Sequence, residues 1–168
     1  MTKRRVRSYG GSNRLLDALS TIFLLEAIKP SPEIYIFSPW ITNSVIIENY
    51  TNNYSSLFPF NDKNEIKLSD FIELCVWRGT KCRIITRMQG GATKSFYNQM
   101  KDIAEFRKSN TEHEKAFISN NFVINGSMNF TKSGIYFNGE SIVISNDKSE
   151  ISKAFITANE VWGEARKI

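Results

Sequence analysis

The chain has 168 residues, of which 41% are hydrophobic and 12% aromatic, enough for a single domain with a buried core. Lysine and arginine outnumber aspartate and glutamate by 22 to 17, and the resulting formal charge of +5 favours polyanionic partners. Two cysteines and one histidine are too few for a disulfide framework or a structural zinc site, so Cys75 and Cys82 are predicted to be buried core thiols.

The first eleven residues form a basic N-terminal arm in this interpretation. Either the arm is flexible and touches phosphates, or it is an ordinary solvated terminus. Its charges are Lys3, Arg4, Arg5 and Arg7.

Hydrophobic periodicity predicts alternating helices and strands after this arm. The first half contains an amphipathic helix over 15–23 that Pro30 closes, a strand over 33–37, a long loop over 43–64, a helix capped by Ser69 that stops at Gly79, and a strand over 82–86. The second half contains a helix over 93–100, a strand over 103–107, a hairpin formed by 116–119 and 122–125, a strand over 140–145, and a last helix with Asp147 and Glu150 as a capping box.

This order of elements predicts one α/β domain over 1–168, because a strand, a helix and a further strand form a parallel crossover. We therefore expect a mixed, largely parallel β-sheet flanked by helices on both faces. The hairpin is expected to turn at Asn120 and Asn121, a dipeptide that can adopt the positive φ angles of a two-residue turn. The apolar stretch over 19–25 is too short to span a bilayer, which favours a cytoplasmic protein without membrane partners.

The residues with the clearest chemistry lie around this hairpin. His113 and Lys115 are two positions apart, so on a strand their side chains point to the same face. Gly126 ends the return strand, so Ser127 and Asn129 arrive at the same end of the sheet as the His–Lys pair. An imidazole, an ammonium, a hydroxyl and an amide then converge.

This combination suits attack on a phosphodiester. A neutral imidazole is a nucleophile near neutral pH, while an ammonium and an amide N–H stabilise the charge that builds on the phosphate oxygens. Glu140 can accept a hydrogen bond from the other ring nitrogen of His113 and so orient it. The reaction needs no metal, and we expect no cofactor.

The pattern His-x-Lys followed by Gly-Ser-x-Asn resembles the signature of the phospholipase D superfamily. The Phe130-Thr131-Lys132 run and the Asn138-Gly139-Glu140 triplet are also similar to the small bacterial single-motif endonucleases of that superfamily. The resemblance implies an α-β-α sandwich, with His113, Lys115, Ser127, Asn129 and Glu140 in the catalytic site. It also suggests substrate-binding roles for Trp40, Arg87 and Thr131, which follow strand ends or belong to the matching run.

The resemblance further implies that two histidines act together, one forming a covalent phosphohistidine and one protonating the leaving oxygen. This chain has only His113. A homodimer whose two-fold axis passes between two copies of His113 would complete the site. One departure from the pattern is Asn120, which stands where these proteins usually have Asp and can take over its place in a tight turn.

The leading hypothesis is a nuclease acting on DNA or RNA, with DNA favoured. A phospholipid-cleaving enzyme would need an apolar surface, for which the stretch over 57–60 is the only candidate. A rival of another class is a catalytically silent nucleic-acid-binding subunit of a larger bacterial DNA-modification or defence complex, resembling the DpdK-like proteins of 7-deazapurine systems.

Overall fold

A computed structural model of the chain describes residues 3–9, 12–59, 64–110 and 114–168. The strands and helices are β1 (Lys3–Arg7), α1 (Arg14–Ile28), β2 (Glu33–Phe37), β3 (Val45–Glu48), β4 (Glu65–Lys67), α2 (Leu68–Trp77), β5 (Lys81–Thr86), α3 (Gly91–Met100), β6 (Glu105–Lys108), β7 (Ala116–Ile118), β8 (Val123–Gly126), α4 (Lys132–Tyr136), β9 (Ser141–Ser145), α5 (Lys148–Glu164) and β10 (Arg166–Lys167).

The main sheet has eight strands within the described residues, in the order β1-β9-β8-β7-β2-β5-β6-β10, and β3 pairs with β4 separately. β2, β5 and β6 run parallel to one another, whereas the other neighbouring strands pair in antiparallel fashion. The sheet is therefore mixed, as the sequence predicts, although its parallel part is confined to these three strands. The parallel part is smaller than expected because the hairpin strands, β9 and both terminal strands pair antiparallel with their neighbours.

Helices cover both faces of the sheet. On one face, α1 and α2 bury Phe23 and Phe71 against Phe117 of β7, with ring centroids 4.7 Å (Phe23–Phe71) and 5.2 Å (Phe23–Phe117) apart. On the other face, α5 packs Trp162 against Tyr35 of β2. Two hydrophobic cores thus hold the sheet between them, in agreement with the expected sandwich.

The N-terminal basic residues form part of the sheet. Lys3–Arg7 make strand β1, which pairs with β9 along its whole length. The interpretation of these residues as a flexible arm is wrong, because backbone hydrogen bonds to β9 and the buried side chain of Val6 fix the segment at the sheet edge.

Other local predictions are corrected by tertiary contacts. Ser69 lies inside α2 rather than at its cap, which is Lys67. Asp70 accepts the N–H of Lys67 at 2.7 Å, and Asn43 accepts the N–H of Ser69 at 3.0 Å. The segment predicted as a long loop over 43–64 contains β3, which finds its partner only in β4.

The last helix begins after Asp147 as predicted, but only half of the expected capping box forms. Asp147 accepts the N–H groups of Ser149 and Glu150, both at 3.0 Å. The carboxylate of Glu150 instead pairs with Lys3 at 3.0 Å. The ion pair with β1, a strand that the sequence did not predict, therefore replaces the second half of the capping box.

The turn between β7 and β8 is made differently from the prediction. Among described residues other than glycine, positive φ angles occur at Asn52 and Met88, so neither Asn120 nor Asn121 adopts one. Ser119 closes the turn instead, because its hydroxyl oxygen accepts the N–H of Asn121 at 3.2 Å and that of Phe122 at 3.0 Å.

The structure shows how far the apolar stretch over 57–60 and the two cysteines are buried. In the stretch over 57–60, Phe58 is 2% exposed and belongs to the core, Leu57 is half-buried and Pro59 is exposed, while Phe60 lies outside the described residues. The aromatic side chain at position 58 is therefore not available to lipid. Cys75 and Cys82 are buried and unpaired thiols, as predicted. No helix in the described parts of the chain is long and apolar enough to cross a membrane.

Candidate active site

The predicted site residues that the structure describes gather at one edge of the main sheet. β2, β5 and β8 end at this edge, and β7 and β9 begin there, because these last two strands run in the opposite direction. The hairpin brings its two ends together, with the N–H of Gly126 donating to the carbonyl of Lys115 at 3.2 Å. Lys115 and the residue after Gly126 are therefore neighbours, as the sequence predicts.

Ser127 and Glu140 form the central polar contact of this edge. The Ser127 hydroxyl donates to Oε2 of Glu140, and its oxygen accepts the N–H of Ser141 at 3.1 Å. Oε1 of Glu140 accepts from the side-chain amide of Asn138 at 3.3 Å. Both carboxylate oxygens thus have a donor that orients them, while each keeps a further lone pair for another donor.

Gly126 allows β8 to approach β9 at this point. A Cβ atom at position 126 would lie 2.1 Å from the carbonyl oxygen of Ser141 and 2.8 Å from the Cα atom of Ile142. No side chain fits, so the Gly-Ser pair of the motif is a packing requirement at the strand end that carries Ser127.

Asn129 is held by the loop that follows β2. Its Oδ1 atom lies 3.5 Å from the backbone N–H of Trp40, which leaves the Nδ2 group as the donor for another ligand. The next residue, Phe130, is 1% exposed and packs on Phe23 with ring centroids 6.4 Å apart. The large core side chain therefore anchors the amide beside it.

The three residues expected to bind substrate lie around the same edge. The guanidinium of Arg87 lies 5.3 Å from the ring centroid of Trp40, a cation–π contact between the ends of β5 and β2. Thr131 caps α4, its hydroxyl oxygen accepting the N–H of Gly134 at 3.1 Å. Trp40, Asn129 and Thr131 line one cleft of about 410 Å³, together with the start of α3 at Gly91.

His113 lies outside the described residues. Its contacts with Glu140 and with a second copy therefore stay predictions. Lys115, two residues later, is half-buried beside Gly126. Within the described residues, no group of three or more His, Cys, Asp or Glu side chains could hold a metal ion.

Two serines that support the site were not predicted from the sequence. Ser8 is buried, and its hydroxyl donates to the carbonyl of Asn138 at 3.0 Å and accepts the N–H of Glu140 at 3.1 Å. The Ser38 hydroxyl donates to the carbonyl of Trp40 at 2.6 Å and accepts the N–H of Phe130 at 2.9 Å. Their long-range bonds leave no local pattern in the sequence, because the partners of Ser8 are 130 and 132 positions away and Phe130 is 92 positions from Ser38.

Comparison with known families decides the identity of the fold. The family model for the cardiolipin synthase, PLD-like domain matches residues 41–162, most of the chain. The chain belongs to the phospholipase-D-like family. The match begins at Ile41 and ends in α5, so it includes Lys115, Ser127, Asn129 and Glu140.

Several solved structures are similar to this chain in fold. Nuc from Salmonella typhimurium, a phospholipase D family member, superposes with a TM-score of 0.67 at 18% identity, covering 99% of this chain and 97% of Nuc. NucT from Helicobacter pylori gives a TM-score of 0.67 at 14% identity, covering 99% of each chain. TrmBL2, an archaeal chromatin protein, gives 0.54 at 20% identity over 100% of this chain and 54% of its own. No curated protein sequence matches this phospholipase-D-like chain significantly.

Proposed function

We propose that this phospholipase-D-like chain is a metal-independent phosphodiesterase that cleaves nucleic acid through a covalent phosphohistidine at His113. The observation that carries the proposal is the convergence of Lys115, Ser127, Asn129 and Glu140 at one sheet edge, with Ser127 bonded to Glu140. These are the residues that follow His113 in the motif.

The chemistry proceeds in two displacements. A ring nitrogen of His113 attacks the phosphorus, the bond to the leaving oxygen breaks, and a second imidazole donates a proton to that oxygen. Water then attacks the phosphohistidine, giving its proton back to the second imidazole and releasing the phosphate monoester. Lys115 and the Nδ2 group of Asn129 hold the non-bridging oxygens as their charge increases.

The second imidazole comes from another copy of the chain. The sequence has a single histidine, so one subunit cannot supply both the nucleophile and the proton donor. A two-fold axis through the site presents the same residue from both partners and needs no further histidine. The functional unit in this proposal is a homodimer with one shared site.

Nucleic acid is the favoured substrate because the net charge of the chain is +5. TrmBL2, which has the same fold in part, is described as binding DNA in a novel mode. Phospholipid is disfavoured, since Phe58 of the one candidate apolar stretch is buried. DNA remains favoured over RNA.

The decisive experiment measures cleavage in chelator. Purified protein is incubated with EDTA and bis-p-nitrophenyl phosphate, labelled DNA or labelled RNA, and the intermediate is trapped as an acid-labile phosphoprotein. We expect turnover that is lost in His113→Ala and Lys115→Ala. Lys29→Ala, which removes the same charge at the opposite end of the sheet, should retain it.

Mixing experiments test the shared site. When wild-type and His113→Ala chains are allowed to exchange, activity should follow the square of the wild-type fraction, because only all-wild-type dimers hold two imidazoles. A linear dependence, or full activity at the mass of one chain, would refute the shared site. A requirement for added divalent ions would refute the mechanism. Wild-type protein that binds DNA but leaves every diester intact would favour the silent subunit of a modification or defence complex.

A further inference from the structure

Strand β1 presents its cations on a defined face of the sheet. Val6 points into the core with α1, so Lys3, Arg5 and Arg7 point to the opposite face, the face that α5 covers further along the sheet. Their register with β9 is fixed: Arg7 lies opposite Ser141 and Arg5 opposite Val143.

The outer half of this face is open. α5 packs over β7 and β2, where Ala116 and Phe37 are buried, and over the start of β8, where Val123 is buried. Towards β1, however, Asn125 of β8 is exposed and Val143 of β9 is only half-buried. Arg5 and Arg7 therefore lie on a part of the sheet that α5 does not cover. No carboxylate among the described residues pairs with either of them.

The row of cations formed by Arg7, Arg5 and Lys3 begins beside the candidate active site. Arg7 is paired with Ser141, whose N–H donates to the Ser127 hydroxyl oxygen at 3.1 Å. Two strand spacings separate Arg7 from Ser127, about 10 Å. Arg5 lies about 7 Å further along β1, and Lys3, at the end of the row, is neutralised by Glu150 at 3.0 Å. Such spacing is comparable to that of successive phosphates in an extended strand.

A cleft of about 500 Å³ lies between α5 and the strands β7 and β8 on the same face of the sheet, and Lys3 is the residue of β1 that lines it. Lys115 and Gly126 line it at the site end, and Lys153 of α5 lines its far wall. Cations on an edge strand also prevent pairing with other sheets, but Arg4 on the opposite face serves that purpose equally well. Edge protection therefore does not explain why Arg5 and Arg7 lie on the face that leads to Ser127, and an anionic ligand would.

We propose that Arg5 and Arg7 bind the backbone phosphates of the nucleic-acid strand that flanks the scissile phosphate, so that β1 guides the strand away from the active site. The inference rests on the proposed nuclease function for its substrate. It adds a binding surface outside the motif, and one that acts on long substrates only.

The test compares Arg5→Gln/Arg7→Gln with Arg4→Gln/Lys29→Gln, which removes the same charge from the opposite face of β1 and from the far end of the sheet. Binding of labelled oligonucleotides is measured across salt concentrations in a Lys115→Ala background, so that nothing is cleaved. We expect the slope of log affinity against log salt to become shallower by about 1.4 for a single strand in the first variant only. At low salt the affinity should fall on the order of tenfold.

Activity separates this proposal from the function on which it rests. With Lys115 restored, Arg5→Gln/Arg7→Gln should cleave bis-p-nitrophenyl phosphate at the wild-type rate and lose efficiency only on long oligonucleotides. Equal salt slopes in the two double variants would overturn the proposed binding of phosphates by Arg5 and Arg7. If the wild-type chain is inert toward diesters but the difference in slope is still present, the nuclease function is overturned while phosphate binding by Arg5 and Arg7 is supported.

Discussion

Ser127 illustrates at the scale of one residue how the site is organised. Its hydroxyl group is committed on both sides, donating to Glu140 and accepting from the backbone of Ser141. A hydroxyl with these partners positions the carboxylate and is not itself available to a phosphate. We infer that Ser127 is a positioning residue for Glu140, which in turn is expected to orient His113.

Ser127→Ala is predicted to lower kcat about 10- to 100-fold and to leave KM near its wild-type value. The estimate follows from the roughly 1.5–3 kcal/mol that a hydrogen bond to a charged group contributes. Steady-state kinetics on bis-p-nitrophenyl phosphate measure it, with Ser152→Ala on the exposed side of α5 as the control. A Ser127→Ala enzyme as fast as wild type would contradict the positioning role.

Gly126 provides a second prediction at this scale. Gly126→Ala should destabilise the fold by about 3 kcal/mol, because its methyl group would overlap the backbone of β9. Gly139→Ala is the matched control, since a Cβ there would lie 3.8 Å from the carbonyl oxygen of Ser8, an ordinary contact. Urea denaturation of both variants gives the comparison, and equal midpoints would refute the steric explanation.

At the scale of elements, the turn between β7 and β8 is held by a buried carboxylate that belongs to helix α1. Glu26 of α1 is fully buried and accepts the N–H of Ser31 at 2.6 Å, the hydroxyl of Ser119 at 2.9 Å and the amide of Asn121 at 2.9 Å. Asn120 itself is exposed, and only its backbone N–H is bound, at 3.0 Å from Ser31. The carboxylate at this turn therefore comes from a helix, and the turn lies at the end of the sheet opposite Lys115.

Asn120→Asp, which restores the residue usual at this position, is predicted to leave kcat/KM within about twofold of wild type. The side chain is solvated and far from the site, so adding a charge there is screened. Assays of both proteins in the same buffer measure this. A large gain of activity in Asn120→Asp would mean that the position acts on the chemistry after all.

Glu26→Gln is predicted to cost about 3 kcal/mol of unfolding free energy, because an amide group would face donors that now bind a carboxylate. Activity per folded molecule should not change, since β7 separates this network from the site. Denaturation and kinetics on the same preparation distinguish the two effects. An inactive but fully stable variant would contradict this division between turn and site.

The stability of the whole molecule should depend on pH through its buried thiols. Burial raises the pKa of Cys75 to about 12 and that of Cys82 well above its ordinary value. An unfolded thiol ionises near pH 8.5, so the folded state keeps protons that the unfolded state loses. Stability is complete below that pH and decreases as the pH rises towards the folded pKa.

We expect unfolding free energy to fall by roughly 2 kcal/mol per buried thiol between neutral pH and about pH 10. Urea denaturation across this range measures the slope. Cys75→Ala should have a shallower slope whatever its stability at neutral pH. Stability that is constant up to about pH 10 would show that the thiols are not protected from ionisation.

The extent to which the fold follows from sequence differs between long and short elements. Helices α1 and α5 and strands β2 and β5 lie close to their predicted positions, because a long apolar periodicity is a local property. β1, β3, β4, β10 and the short α4 were not predicted, since each has five residues or fewer and depends on a partner elsewhere.

The amino-acid sequence alone determined the family, the layered α/β fold and the spacing of Lys115, Ser127, Asn129 and Glu140, because these depend on the order of residues along a strand and its return. Only the tertiary structure decided that Ser8 holds Glu140 and that Trp40 meets Asn129, pairs separated by 132 and 89 positions. It likewise turned the basic N-terminus into a strand with a charged face. Contacts at such separations depend on strand register and core packing, which no local pattern of residues contains.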